Sequence, residues 1–191
     1  MRRRSASGCT VLALGLTLAA CGDGGGHDGQ SSGLTVSMSF VPPAGGQDLL
    51  WLAEGQRNGD LLTVDVIARD ITQPFDAYEV EVLFDPLVLR ATSTQDGPLL
   101  ASCSGQQNLT VNNILSGGAA MGSLLVGGVA QDAPGCTLAG QQTLVRLTFK
   151  AIEAGTSELD FGSGSRLFRT GGPASIAVTF FDSQASVVSA H

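Results

Sequence analysis

The sequence predicts an all-β fold, and three observations carry that prediction. Two stretches, Leu61–Arg69 and Thr143–Ala151, alternate apolar with polar residues at the period of a strand that buries one face. The 26 glycines of the 191-residue chain divide it into short segments, as turns between strands do. No stretch keeps helical amphipathic spacing long enough to force a helix, and the sequence contains no internal repeat.

The first 20 residues predict a signal peptide rather than part of the fold. Arg2–Arg4 form a basic start, and the apolar run Val11–Ala20 is shorter than the roughly 20 residues of a membrane-spanning helix. Leu18–Cys21 resembles the bacterial lipobox, which implies cleavage before Cys21 and attachment of diacylglycerol to it. The alternative is an ordinary secretory signal that happens to contain a cysteine.

Residues 21–33, called the tether below, are rich in glycine and predict a flexible linker to a domain at residues 34–191. A linker of this length places the domain about 20 Å from an anchored lipid. Gly22 after the cysteine, by resemblance to enteric lipoproteins, favours sorting to the outer membrane. We therefore expect a lipid-anchored protein of the cell envelope, either periplasmic or exposed at the surface.

Charge excludes one class of partner. After loss of Arg2–Arg4 the mature chain keeps seven basic residues against 17 acidic ones, a net charge of −10. Nucleic acid is a poor ligand for such a surface, and no basic patch with interleaved aromatic residues is present. We expect no nucleic-acid role.

Cysteine usage agrees with export. Besides Cys21, the mature chain contains Cys103 and Cys136, which we expect to form a disulfide in an oxidising compartment. The loop that they would close spans 34 residues, for which the chain-entropy model gives roughly 3–4 kcal/mol of stabilisation. A zinc site is not indicated, because the sequence has no CxxC motif and no histidine near either cysteine.

The predicted strands follow one another along residues 34–191. The first, Leu34–Val41, is ended by Pro42 and Pro43. The segment Asp48–Glu54 contains the only tryptophan, Trp51, and its pattern assigns it neither to a strand nor to a loop. The other predicted strands are Leu61–Arg69, the strand that starts at Phe75 and stops before Asp85, Leu109–Leu115, Ala119–Val129, Thr143–Ala151, Ser157–Phe161, Ile176–Phe181 and Gln184–Val188.

The strand that starts at Phe75 has the clearest two-sided pattern. Val80, Val82 and Phe84 are predicted to face inward, and Asp85-Pro86 ends the strand because proline cannot donate to the ladder. Alternation then places four residues on the outward side. These outward residues are Ala77, Glu79, Glu81 and Leu83.

This strand, its Asp-Pro corner and the apolar return at Leu87–Leu89 resemble the cohesin module. The Leu-Thr-Phe-Lys-Ala, Gly-Thr and Leu-Asp-Phe elements of residues 147–161 and the ending at residues 178–188 are also similar to the C-terminal half of cohesins. The resemblance covers about residues 34–190. It implies a nine-stranded β-sandwich with jelly-roll topology.

The resemblance also implies a function. Cohesins bind calcium-loaded dockerins through one flat sheet face, so the leading hypothesis is a membrane-anchored, non-catalytic module that binds a dockerin-like protein at the face of Ala77, Glu79, Glu81 and Leu83. In many cohesins an Asn and an Asp lie two residues apart there. The matching residues here are Ala77 and Glu79, so an acid is retained and the amide is absent.

Two other functions remain open at this point. A carbohydrate-binding module shares a related sandwich, but sugar rings stack on exposed planar aromatics. The chain has one Trp, one Tyr and eight Phe, and most Phe fall on inward strand positions. Trp51 could stack on a sugar, although a lone tryptophan is more often part of a core or a covering loop. A structural component of an envelope assembly is the third reading.

The residues for catalysis are lacking. The only two histidines are His27, in the tether, and His191, so no histidine is available as a general base inside the fold. Glu79, Glu81 and Asp65 could imitate the carboxylate pair of a glycosidase, but charges on alternate strand positions more often form a solvated face. We predict a non-enzyme without cofactor or bound metal.

Overall fold

The computed structural model describes residues 33–104, 108–115, 121–130, 135–170, 172 and 175–189, without the side chains of residues 103, 104 and 108–115. The predicted signal peptide, Cys21, His27 and His191 lie outside the described residues, so their predictions stay untested. No described helix is long and apolar enough to cross a membrane.

The described residues form twelve strands and one short helix. In chain order they are β1 (Leu34–Ser39), β2 (Leu49–Asn58), β3 (Leu61–Arg69), β4 (Ala77–Phe84), β5 (Leu89–Asp96), α1 (Pro98–Ser104), β6 (Asn108–Leu115), β7 (Gly122–Ala130), β8 (Gln141–Ala151), β9 (Gly155–Phe161), β10 (Arg166–Phe168), β11 (Thr179–Phe181) and β12 (Ser183–Ser189). The all-β prediction is confirmed.

The strands are arranged in two sheets that enclose one core. The first sheet has the order β1-β12-β9-β4-β7-β6, with β10 also pairing to β4, and the second has the order β11-β2-β3-β8-β5. All pairings are antiparallel except that of β11 with β2. The predicted sandwich is therefore confirmed, whereas the predicted count of nine strands is too low.

The three strands that the sequence did not predict are β2, β5 and β10, and each lacks the alternation of apolar and polar residues for a physical reason. β2 is apolar on both faces over its first four residues, so it does not alternate. β5 lies at a sheet edge and is mostly polar. β10 has only three residues, which pair with β4 from within a glycine-rich loop. The sequence also missed α1, which buries Leu99 and Leu100.

The core forms where the inner faces of the two sheets meet. From the first sheet, Val80 and Val82 are fully buried and Phe84 is 3% exposed, as predicted. The second sheet contributes alternate residues of β3 and β8, among them Val64 and Phe149. The rings of Phe84 and Phe149 meet edge to face with centroids 5.3 Å apart, which joins the sheets.

Trp51 lies outside that core but is covered. Its neighbours in β2, Leu50 and Leu52, point into the core, so alternation places Trp51 on the outer side of the sheet, where it is nonetheless only 5% exposed. The Arg69 guanidinium lies 5.5 Å from its ring and donates to the Pro43 carbonyl at 3.2 Å. Trp51 is thus covered, with Arg69 linking its ring to the segment that follows β1, and it offers no platform to a ligand.

Candidate functional site

β4 lies at the centre of the first sheet and gives its outer surface a defined composition. It pairs along its whole length with β7, with β10 at its beginning and with β9 at its end. Cross-strand partners share a face, so the outward residues of these four strands form one surface, called the β4 face below. Its members are Ala77, Glu79, Glu81, Leu83, Ser123, Leu125, Gly127, Val129, Asp160, Arg166 and Phe168.

The structure buries Ala77, one of the four residues that the sequence predicted to contact a partner. Ala77 is only 1% exposed, because it lies between Val129 of β7 and Phe168 of β10, whose larger side chains stand on the same side. The expectation that Ala77 presents a contact surface is therefore wrong. β10 gave no strand pattern, so the sequence held no sign of this cover.

Glu79 is half-buried on the outer side, as predicted, but its charge is not free. The Arg166 guanidinium of β10 contacts Glu79 Oε2 through Nη2 at 2.5 Å and through Nε at 2.6 Å. The same guanidinium lies 5.2 Å from the Phe168 ring. The pair removes most of the negative potential that the sequence assigned to this position.

Glu81 is also half-buried, and it binds a loop of its own chain. Its Oε1 accepts from Ser123 Oγ at 2.9 Å, and its Oε2 accepts from the Gly164 amide at 3.2 Å. Its main-chain carbonyl accepts from the Gly162 amide at 2.8 Å and from Ser165 Oγ at 3.0 Å. These five residues are called the Glu81 latch below, because they hold the loop after β9 against β4.

The latch explains the glycines of this loop. A Cβ at Gly162 would overlap the Glu81 carboxylate, so a side chain there would displace it. The Gly-Ser-Gly-Ser run of residues 162–165 has the composition of a phosphate-binding loop. Its Gly164 amide, however, donates to the Glu81 carboxylate of the same chain. Glu81 is thus a residue that shapes the face, with little capacity left for a partner's cations.

Three aliphatic side chains complete the centre of the face. Leu83 of β4 is opposite Ser123, and Leu125 is opposite Glu81, so the two leucines are diagonal neighbours on one side. Val129 continues the same side of β7, past Gly127, which has no side chain. All three are half-buried. We call Leu83, Leu125 and Val129 the aliphatic strip; the sequence identified only Leu83 of them.

A carboxylate without an ion-pair partner among the described residues, that of Asp160, lies beside the aliphatic strip. Asp160 of β9 is paired with Leu83. Partial burial, and then the neighbouring charges of Asp182 and Glu158, raise the pKa of Asp160 above its usual value. None of the three carboxylates forms an ion pair with a cation among the described residues. Negative potential on this face therefore comes from β9 more than from β4.

The predicted disulfide stays a prediction. Cys136 pairs through its backbone with Phe75, just before β4, by hydrogen bonds of 2.8 and 3.0 Å. The side chain of Cys103 lies outside the described residues. If formed, the bridge would join α1 to the segment after β7, which the Phe75 backbone already holds next to the start of β4.

The arrangement suits surface recognition better than the chemistry considered above. Among the described residues, no group of three or more His, Cys, Asp or Glu side chains could hold a metal ion. The single tyrosine, Tyr78, is 2% exposed and points into the core, as the register of β4 requires. With Trp51 also covered, neither of these rings can stack on a sugar.

Comparison with known proteins identifies the fold. No protein-family model and no curated protein matches the sequence significantly. Among solved structures, the chain is similar to a non-cellulosomal cohesin from the archaeon Archaeoglobus fulgidus, with 15% identity, a TM-score of 0.52 and coverage of 72% of this chain and 88% of that one.

Two structures from Acetivibrio cellulolyticus are similar to the same degree. A type II cohesin domain of its cellulosome has 17% identity, a TM-score of 0.53 and coverage of 75% of this chain and 96% of that one. The sixth cohesin of its scaffoldin B, solved in complex with a mutant Cel5 dockerin, has 13% identity, a TM-score of 0.51 and coverage of 72% and 96%.

Proposed function

From a cohesin-like fold as the premise, we propose that this chain is a non-catalytic module of the cell envelope that binds a dockerin-like protein on its β4 face. The observation that carries the proposal is the aliphatic strip of Leu83, Leu125 and Val129 on a sheet surface where the two β4 carboxylates, Glu79 and Glu81, are already engaged within the chain. The solved complex of a similar cohesin with a dockerin supports the class of partner.

The composition of the β4 face favours a protein over a sugar. Protein interfaces bury an apolar centre within a polar rim, and here the strip is the apolar centre. Glu79 and Glu81 keep their internal partners when a protein covers them, so covering them leaves fewer charges unpaired. Rim acids such as Asp160 then act mainly on association rate, an effect that salt weakens.

A polysaccharide ligand gains no support from the described residues. Stacking on sugar rings needs a planar strip of exposed aromatic rings; Trp51 and Tyr78 are covered, and among the described residues Phe40, after β1, is the one large aromatic side chain that is exposed. Phe168 is half-buried and shares its surroundings with Arg166. We therefore propose the protein partner alone.

The lipid anchor is part of the same proposal. The lipobox-like Leu18–Cys21 supports diacylglycerol attachment at Cys21, which would hold the module at the envelope through the tether. Cys21→Ser should leave an uncleaved or soluble precursor, while the native protein partitions into detergent and incorporates labelled fatty acid. Unchanged partitioning of Cys21→Ser would contradict lipidation and leave the binding proposal to its own test.

The test of binding is capture from the host's own envelope by the full-length lipoprotein, with calcium or with a chelator. Leu83→Asp and Leu125→Asp should each lower capture at least about 10-fold, since a charge placed in a desolvated interface costs more than 1.4 kcal/mol. Thr148→Asp on the outer side of β8 is the matched control and should capture normally.

Three results would contradict the proposal. Normal capture by both leucine variants at normal melting temperature would move the site off the β4 face. Loss of capture by Thr148→Asp alone would place it on the second sheet. Capture that persists under chelation would exclude a calcium-loaded dockerin-like partner, even if a protein is bound.

A further inference from the structure

The first described strand begins, and the last described strand finishes, at the same end of the sandwich. β1 begins where β12 finishes, because Leu34 pairs with Ser189. β12 also finishes where β9 begins, because Val187 pairs with Gly155. The turns that join β2 to β3, β4 to β5 and β8 to β9 lie at this end as well. We call it the tether end, because the described chain starts there, directly after the tether.

The large apolar side chains that the described residues leave exposed are concentrated there. Six such side chains are recorded, and four of them lie at the tether end. Only Phe40 and Val41 lie at the opposite end, after β1. The four at the tether end are Leu87 (68% exposed), Val188 (59%), Ile152 (45%) and Met121 (41%).

Local hydrogen bonds hold at least two of the four in place. The Leu87 amide donates to Asp85 Oδ1 at 2.8 Å, so the Asp-Pro corner directs Leu87 away from the domain. The Ile152 amide donates to the Val88 carbonyl at 2.9 Å, which places the turn after β8 beside that corner. The exposure of Leu87 and Ile152 is therefore built into ordered turns.

Charge at this end differs from that of the whole domain. Its turns contain three carboxylates, Asp60, Asp85 and Glu153, and the strand ends beside them carry three cations, Arg57, Arg90 and Lys150, so these charges balance. Lys150 Nζ lies 3.5 Å from Asp60 Oδ2. With a net charge of −10 over the mature chain, the tether end is among its least repulsive surfaces toward an anionic membrane.

We propose that the tether end docks on the lipid surface, with Leu87, Ile152, Met121 and Val188 immersed at the level of the headgroups. A lipid attached at Cys21 would lie close to this end, because only the twelve residues 22–33 separate Cys21 from β1. A linker of that length spans about 20 Å, less than the roughly 30 Å length of a nine-residue strand. This inference rests on the lipidation of Cys21 proposed above.

Docking in this way would fix the orientation of the binding site. The strands would stand steeply on the membrane. The β4 face would then be roughly perpendicular to the membrane plane and would not contact the lipid. Four separated apolar side chains bind lipid weakly by themselves, but the tether supplies a high local concentration that makes weak contact sufficient. The orientation is thus a joint product of the anchor and the apolar end.

The test uses full-length lipoprotein reconstituted into vesicles of phosphatidylethanolamine and phosphatidylglycerol that carry a doxyl-labelled lipid. Leu87→Trp should be quenched several-fold more strongly than Val41→Trp, which reports from the opposite end at 83% exposure of the native residue. The native Trp51 is covered and contributes the same background to both variants.

A second pair of variants tests the apolar contacts themselves. In a Val188→Trp reporter, Leu87→Asp with Ile152→Asp should reduce quenching toward the Val41→Trp level, whereas the control Val41→Asp should leave it unchanged. All of these side chains are exposed, so the folded domain should tolerate the changes.

The outcomes separate the docking from the anchor. Flotation with vesicles reports the anchor, and protein that fails to float overturns both lipidation and docking. Protein that floats, with equal quenching of Leu87→Trp and Val41→Trp, overturns docking alone. A spectral shift of Leu87→Trp that follows protein concentration and survives in detergent without vesicles would assign this end to a second copy of the chain and also overturn lipid docking.

Discussion

The two sheets present opposite kinds of outer face. On the β4 face the exposed centre is aliphatic, with Leu83 and Leu125 as diagonal neighbours. On the outer side of β3 and β8, by contrast, the corresponding centre is polar, with Asp65 bound to Arg146 by two hydrogen bonds of 2.7 and 3.0 Å and Thr148 beside them. Only the first arrangement gains from being covered by another protein.

The two faces also use their carboxylates differently. Asp65 neutralises a cation of a neighbouring strand and leaves the local chain path unchanged. Glu81 and Asp76, in contrast, hold backbone segments: Glu81 holds the loop after β9, and Asp76 accepts from the Thr170 amide at 2.7 Å and from Thr170 Oγ1 at 2.5 Å. Glu81 and Asp76 thus position chain segments around the β4 face, whereas Asp65 on the second sheet neutralises a neighbouring charge.

The largest expected effect concerns the predicted disulfide, which would join α1 to the segment that leads from β7 of the first sheet to β8 of the second. Cys103→Ser with Cys136→Ser should lower the free energy of unfolding by roughly 3–4 kcal/mol, measured in urea. The mature wild-type domain, denatured without reductant, should show no thiol at either position. Two reactive thiols there would contradict the pairing.

The buried Asp76 and the half-buried Asp65 should differ in how much stability their loss costs. Asp76→Ala should destabilise by about 3 kcal/mol, because Asp76 is 2% exposed and its loss leaves the Thr170 donors without an acceptor. Asp65→Ala on the second sheet is the matched control and should cost less, about 1–2 kcal/mol, because Arg146 keeps access to water after the loss of its half-buried partner. If chemical denaturation showed equal losses of unfolding free energy for the two variants, the proposed difference between Asp76 and Asp65 would be wrong.

The Glu81 latch offers a smaller but sharper test. Gly162→Ala should destabilise by about 1–3 kcal/mol through displacement of the Glu81 carboxylate. Gly45→Ala is the control, since a Cβ there meets nothing within 4 Å, and it should change the melting temperature by little. A tolerated Gly162→Ala would show that the latch is not tight.

The smallest effect is a pH dependence at the edge of the β4 face. The folded-state pKa of Asp160 is raised, so its contribution to stability is complete below its unfolded pKa and is lost as pH rises through the folded value. Asp160→Asn should therefore melt at a higher temperature than wild type at pH 7, with the difference disappearing near pH 3. A variant that is less stable at pH 7 would reverse the assigned sign.

The fold could be predicted from patterns within single short segments of the sequence. Alternation in β3, β4 and β8 and the stop at Asp85-Pro86 match the observed strands, because one-sided burial leaves a period-two pattern. These patterns missed β2, which is apolar on both faces, and β5, which is a polar edge strand. Neither kind of strand leaves that pattern.

The site was harder to predict for a related reason. The outward positions of β4 followed from alternation, but their availability depended on residues distant in sequence: Phe168 over Ala77, Arg166 on Glu79, and the Gly162 loop on Glu81. β10, which supplies two of these, has three residues and no pattern of its own. Exposure on a sheet is set by neighbouring strands, and pairing between distant strands was not readable from this sequence.

Hydroxyl-radical footprinting of the lipoprotein, alone and with its captured partner, tests the central claim most directly. Half-buried aliphatic side chains serve as probes on both outer faces: Leu83 and Leu125 of the aliphatic strip on the β4 face, and Leu61 and Ile67 on the second sheet. Binding should suppress oxidation of Leu83 and Leu125 and leave Leu61 and Ile67 unchanged. Protection of Leu61 and Ile67 with Leu83 and Leu125 still reactive would contradict the claim that the β4 face is the binding surface.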